Sequence, residues 1–175
     1  MNSIIKNMLY LSRENANSNR SAVRTNYLHG ALMGKLSDTV PGNPFMEVNI
    51  PSGCSGGFKR CDIVFLNDLG NPTHIFPTKA PLSSINKNLN NYEEQLRGEV
   101  AFLRDVNPEI IIEPINIYPI ECSNGSRTEK LDVDRFLGAN KSWCDAVHTI
   151  LWYEKDGEVF IDPRSSSPRF FPLKD

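Results

Sequence analysis

The 175 residues carry 39% hydrophobic and 23% charged side chains, with a net charge of −2 and a pI of about 5.9. That length suits a single domain, 1–175, with its own core. No apolar run approaches the roughly 20 residues of a membrane span. The first ten residues are broken by Lys6 and Asn7 and do not read as a signal peptide, so the expected location is cytoplasmic. Cys54, Cys61, Cys122 and Cys144 include no C-x-x-C pair, which argues against a zinc site. Cys61 and Cys144 read as buried thiols.

In chain order, residues 3–12 suit a short helix and 13–20 a polar turn. Ser18 or Asn19 offers a cap for a helix reaching about Leu36, with Val23, Tyr27, Leu28, Ala31, Leu32 and Leu36 on one face. A loop follows at 37–44, then a strand at 45–50 and a flexible glycine-rich loop at 53–57. Residues 61–66 and 73–79 read as two strands of a hairpin around the turn residues 67–72. A loop at 80–88 leads into a helix over about 91–103, which Asn107-Pro108 ends. Residues 109–120 form a long apolar run, expected as one buried strand. A polar loop at 121–130 and short helical pieces at 131–137 and 141–148 come next. Asp156-Gly157 between 149–155 and 158–161 is a strong hairpin signal, and the Ser- and Pro-rich tail from Asp162 is expected to be extended. This order of elements defines an α/β or α+β chain.

The chemistry concentrates in the hairpin. Side chains alternate across a strand, so Asp62 shares a face with Val64 and Leu66, and Lys79 with Ile75 and Pro77. Pairing of the two strands brings Asp62 and Lys79 towards one point. Phosphodiester hydrolysis requires such a set. Carboxylate oxygens hold a hard cation, the cation activates water, and an ammonium stabilises the growing negative charge. The mild acidity of the chain argues against binding nucleic acid by bulk charge. It is compatible with an enzyme whose bound metal restores local positive charge.

The run Asp62-x14-Pro77-Thr78-Lys79 resembles the PD-(D/E)XK nuclease superfamily, which includes most type II restriction endonucleases. The resemblance covers about residues 20–120 and leaves 121–175 for fold completion or dimerisation. It implies a restriction-endonuclease-like mixed central sheet flanked by helices. It also implies a Mg2+-dependent DNA endonuclease, with Mn2+ as a substitute, acting as a homodimer in which each subunit cuts one strand. The family pattern expects Asp or Glu where this chain has Pro77, so either the site is inactive or the second carboxylate comes from elsewhere. One group of these enzymes takes it from the next helix with thirteen residues between the Lys and the Glu, and Glu93 stands at that spacing from Lys79. By this reading Asp62 and Glu93 hold the metal and Lys79 positions or activates water. The alternative is a catalytically inactive DNA-binding or interaction domain, supported by Pro77.

At about 100° per helical residue, Leu89, Tyr92, Leu96, Val100 and Leu103 form an apolar stripe. Glu93 and Glu99 lie roughly 60° from its centre on opposite sides, and Glu94 lies nearly opposite it. Glu99 is therefore an accessory candidate, and the resemblance adds Gln95, because related nucleases often carry a Gln on this helix, and Glu14, because some relatives use an acid near the first helix. The plainer alternatives are that Asp62 pairs with Lys59 or Arg60, and that Glu93 or Glu94 closes a capping box with Asn90 or Asn91. Ser83, Ser84, Asn86, Lys87 and Asn88 form a candidate DNA-contacting loop, with Lys59 and Arg60 nearby, since Asn reads adenine and Lys reads guanine or phosphate. A loop leading into a helix cap explains the same composition. Arg20 and Arg24, one turn apart, suit either phosphate binding or a solvated face. His29, His74 and His148 show no metal-ligand spacing and read as structural or exposed. Trp143 and Trp152 read as core or interface residues.

Overall fold

The computed structural model describes residues 1–14, 21–124, 126–139 and 141–171. Two helices, α1 (Asn2–Glu14) and α2 (Ser21–Leu36), precede the strands β1 (Asn43–Pro51), β2 (Phe58–Leu66), β3 (Pro72–Phe76) and β4 (Thr78–Lys79). The long helix α3 (Ile85–Val106) leads to β5 (Ile111–Ile112), β6 (Ile115–Pro119), and a hairpin of β7 (Glu121–Asn124) and β8 (Arg127–Lys130). The chain continues through α4 (Val133–Gly138), β9 (His148–Lys155) and β10 (Glu158–Ile161). No helix among the described residues is long and apolar enough to cross a membrane.

Two four-stranded sheets form, with orders β1-β2-β3-β5 and β10-β9-β6-β4. They adjoin along interrupted strands. β3 and β4 are a single strand interrupted at Pro77, and β5 and β6 are one interrupted at Glu113-Pro114. Glu113 N–H donates to Ile75 O and Ile115 N–H to Pro77 O, which carries the ladder across both breaks. The β1-β2-β3 part is antiparallel, whereas β3 with β5, β4 with β6 and β6 with β9 are parallel. The α3 crossover supplies the return that parallel strands need.

Alternation assigns each face its partner. Ile63, Phe65, Phe76, Ile115, Ile117 and Ile150 pack against Ile5 and Met8 of α1 and Leu28, Leu32 and Leu36 of α2. On the other face Val64, Ile75 and Ile112 meet Tyr92, Leu96, Val100 and Leu103 of α3. Tyr118 and Leu151 meet Ile85 and Leu89 of α3 and Phe136 of α4. Trp152 is buried in the first of these clusters. The architecture is mixed α/β with helices on both faces of the sheets.

Several boundaries differ from expectation. α3 begins at Ile85, so 85–90 are helical and the proposed capping boxes at Asn90 and Asn91 fall inside the helix. Its N-cap is Ser84, in left-handed backbone (φ 51°) with no side-chain cap bond. In place of the loop expected over 121–130, β7 and β8 pair as strands, and 141–147 form turns rather than a helix. Val23 is exposed instead of facing the core. The cap candidates Ser18 and Asn19, together with Arg20, lie outside the described residues. The expected hairpin at Asp156-Gly157 is present, with φ of 52° and 76° at the two central residues, as a type I′ turn requires.

The tail is fastened rather than free. Ser166 pairs with Thr149, His148 Nδ1 lies 2.8 Å from Ser167 Oγ, and Arg169 donates twice to Glu113. His148 Nε2 is 2.9 Å from the same Glu113 carboxylate. Burial alone pushes the Glu113 carboxyl up, but the bonds from Arg169 and His148 together outweigh it and hold it at about 2. A carboxyl depressed from its ordinary 4.5 stabilises the fold above that pH, and the contribution fades as pH falls towards 2. Glu113→Gln is therefore expected to melt below the native chain at pH 7, the gap closing between about pH 4.5 and 2 in scanning calorimetry. Phe65→Ala, at a fully buried position, is expected to cost about 3–5 kcal/mol in urea unfolding at any pH.

Candidate metal centre and active-site groove

The break at Pro77 creates the site. Proline has no N–H and interrupts the strand, so Thr78 N–H donates to the Asp62 carboxylate (Oδ2, 2.7 Å) in place of a ladder carbonyl. This bond fixes one Asp62 oxygen and pulls β2 and β4 together. β1 is irregular directly opposite. Glu47, between the pairs Met46↔Ile63 and Val48↔Cys61, has φ 56°, a left-handed conformation that costs a non-glycine residue roughly 1–2 kcal/mol. Its side chain turns towards α2, where Oε1 lies 3.0 Å from His29 Nδ1, while Oε2 accepts from Arg60 Nε at 2.8 Å.

His29, Glu47 and Asp62 thereby converge, and one ligand atom from each lies within 4.8 Å of the others. His29 is 3% exposed. Burial pushes the Asp62 carboxyl above its ordinary range, against the Thr78 bond and the charge of His29, and Glu47 raises it further. Two crowded carboxylates and an imidazole fit a divalent cation, which would take the place of the His29–Glu47 contact. The imidazole moves this donor set away from the all-oxygen sites that magnesium prefers and towards manganese or a later metal.

Asp62 also opens onto a second space, between the sheet and α3. A cavity of about 410 Å³ there is lined by Lys59, Asp62, Lys79, Gln95 and Glu99, with Tyr92 at its base. The Lys79 ammonium sits 5.7 Å from the centre of the Tyr92 ring. Lys59 Nζ pairs with Glu99 at 3.2 Å, and burial raises the Glu99 carboxyl despite that partner. An adjoining cavity of about 360 Å³ lies between α2 and β4 and shares Thr78 and Lys79 with the first, so the two form one groove past Lys79.

The groove sorts the sequence candidates. Asp62 and Lys79 line the same cavity, with Glu99 and Gln95 beside them. Glu93 does not join them. It lines separate cavities with Arg135 and Gly138 and with Arg97 and Trp143, and its charge acts on Tyr118, whose phenol burial already raises. The expected pairing of Glu93 with Asp62 is corrected on this ground, because the side of α3 that carries Glu93 faces α4. Glu14 is exposed at the end of α1, outside the residues that line the groove.

Ser83 borders the α2-side cavity and Ser84 is the α3 N-cap. Asn86 is committed to the fold, since its N–H donates to Glu129 Oε1 at 2.8 Å and its amide to Lys130 O at 2.9 Å. Lys87 is exposed in the first turn of α3, and the side chain of Asn88 lies outside the described residues. Of the alternative partners for Asp62, Arg60 binds Glu47 and Lys59 binds Glu99. Sequence reasoning missed His29 and Glu47 as site residues. They come from different elements with no common spacing, and only the unusual backbone at Glu47 marks them, which a sequence does not display.

No family model, no curated protein and no solved structure matches this chain.

A carboxyl raised by burial favours the fold most when protonated. Its contribution is full below the ordinary aspartate value of 3.8 and is lost as pH rises through the raised one. Asp62→Asn, which keeps an acceptor for Thr78 N–H, is therefore expected to melt no lower than the native chain at pH 7 and to lose that advantage near pH 4. Added Mn2+ at one hundred times its dissociation constant is expected to stabilise the native chain by about 2.7 kcal/mol, seen as a higher melting temperature, and to leave Asp62→Asn unmoved.

Proposed function

We propose that the protein is a metal-dependent nuclease that hydrolyses phosphodiester bonds of DNA. The observation that carries this reading is that Asp62 and Lys79 line one cavity, while Asp62 also belongs to the His29–Glu47–Asp62 cluster. The order helix, antiparallel β1-β2-β3, crossover helix and parallel strand supports the restriction-endonuclease-like form of the mixed sheet. A divalent cation held by His29, Glu47 and Asp62 would polarise a phosphate oxygen and lower the pKa of a bound water. Lys79 is placed to stabilise negative charge as it grows on the phosphoryl oxygens. Glu99, with its raised pKa, suits acceptance of the proton that water loses, and Lys59 holds it in place. Thr78 N–H keeps Asp62 in a single orientation. Mn2+ is expected to support cleavage at least as well as Mg2+. Cutting both strands of a duplex calls for two such grooves, hence a pair of chains.

A second reading has one observation in its favour: Pro77 stands where the resembling family carries a carboxylate, which suits an inactive domain that binds DNA. Incubation of supercoiled plasmid with the purified chain and Mg2+ or Mn2+ separates the two. Cleavage is expected, falling roughly 10²-fold or more in Asp62→Ala and Lys79→Ala and persisting in Glu93→Gln. Folded protein that neither nicks DNA nor takes up Mn2+ in calorimetry would leave the inactive domain as the correct reading.

A further inference from the structure

The α2 side of the groove is unlike the α3 side. The α3-side cavity contains Asp62, Glu94 and Glu99, whereas no carboxylate lines the other. Two cations border it. Arg24 is half-buried on α2, and its guanidinium has no ion pair or hydrogen bond to another described residue. Lys79 has only the Tyr92 ring beneath it among the described residues. Arginine side chains this far out of water ordinarily have an anionic or carbonyl partner, since burying an unpaired charge is unfavourable. Here burial lowers the Arg24 pKa and nothing opposes it. Thr25 and Ser83 add hydroxyls at the rim. His29 lines the same cavity and also belongs to the metal cluster, so the two are contiguous.

We propose that the cavity between α2 and β4 is a phosphate seat, in which the Arg24 fork and the Lys79 ammonium hold the phosphate group next along the strand from the one over the metal cluster. A guanidinium matches two phosphate oxygens at once, and an ammonium binds as a point charge. At about 360 Å³ the cavity admits more than a bare anion, with room for the sugar that carries the phosphate. The consequence rests on the nuclease reading. The substrate must offer two neighbouring phosphates, so a polynucleotide or a 5′-phosphorylated dinucleotide is accepted and an isolated diester is not. Arg24 is then a binding residue that selects substrate, while Lys79 serves both phosphates.

The test runs in chelator, where the metal centre plays no part. Inorganic phosphate and then pyrophosphate are titrated into isotope-labelled protein. Shifts are expected at Thr78, Lys79 and Ser83 and at the Arg24 side-chain N–H. Arg24→Gln should weaken binding roughly tenfold or more, since it removes a charge-assisted pair. Arg24→Lys, which keeps the helix and the charge, should fall between, and it guards against a folding defect in Arg24→Gln. Lys155→Ala, at the end of β9 and outside the residues that line the cavity, should bind as the native chain does. Oligothymidylates with 5′-phosphate or 5′-hydroxyl ends identify the source. Arg24 dependence confined to the phosphorylated end assigns the seat to strand termini, and dependence at both assigns it to internal phosphates. Equal affinity in native and Arg24→Gln protein, or shifts absent from Thr78–Ser83, would overturn the proposal. Phosphate binding without Mn2+ uptake in a parallel titration would keep the seat and remove the metal centre, and the opposite pattern would do the reverse.

Discussion

One hydrogen bond, from Thr78 N–H to Asp62 Oδ2, organises this molecule. Pro77 cannot continue the ladder, and without a substitute acceptor the half-buried Thr78 donor would lose its partner, at a cost of up to about 1–3 kcal/mol. Asp62 supplies the acceptor and is thereby drawn out of water to the point where β1, β2 and β4 meet. Everything proposed for the groove follows from that placement. Asp62 reaches His29 and Glu47 on one side of the sheet and shares a cavity with Lys79 and Glu99 on the other.

The electrostatics of the groove run against stability. Asp62 and Glu99 are both carboxyls pushed up by burial, and Glu47 holds a left-handed backbone conformation in the middle of a strand. Such strain persists only where the surrounding packing over-determines it, and it clusters at functional sites. Glu113, beside the break at Pro77, shows the contrast. It is buried too, yet the bonds from Arg169 and His148 outweigh that burial and lower its pKa, and the result is a clasp that holds the tail. Glu99 keeps a raised pKa although Lys59 is 3.2 Å away, so the outcome depends on whether the hydrogen bonds a carboxylate receives outweigh its desolvation.

Much of this was legible in the chain. The hairpin, the apolar stripe of α3, the I′ turn at Asp156-Gly157 and the placing of Asp62 and Lys79 on one face follow from period-2 and period-3.6 patterning and turn composition, which are local properties. The start of α3 was misjudged because Asn-rich composition reads as loop, whereas Asn86 is held by Glu129 and Lys130 from a hairpin more than forty residues away. The long apolar run at 109–120 resolved into two short strands because Glu113-Pro114 breaks it in step with Pro77 on the neighbouring strand.

Glu93 marks the limit of such reading. Sequence places Glu93 and Glu99 symmetrically about the buried stripe, and a helical wheel has no means of telling which side faces Asp62. The direction in which α3 crosses the sheet breaks that symmetry, and it is a property of the packed layers. The same holds for His29 and Glu47, which come from a helix and a strand with no shared spacing and are joined to Asp62 only by the approach of α2 to β1. By itself the sequence determined the elements, the faces they bury and the two residues of the hairpin that face one another, because these depend on neighbours along the chain. The tertiary structure alone decided which acids and cations converge on Asp62, because that depends on how whole elements cross.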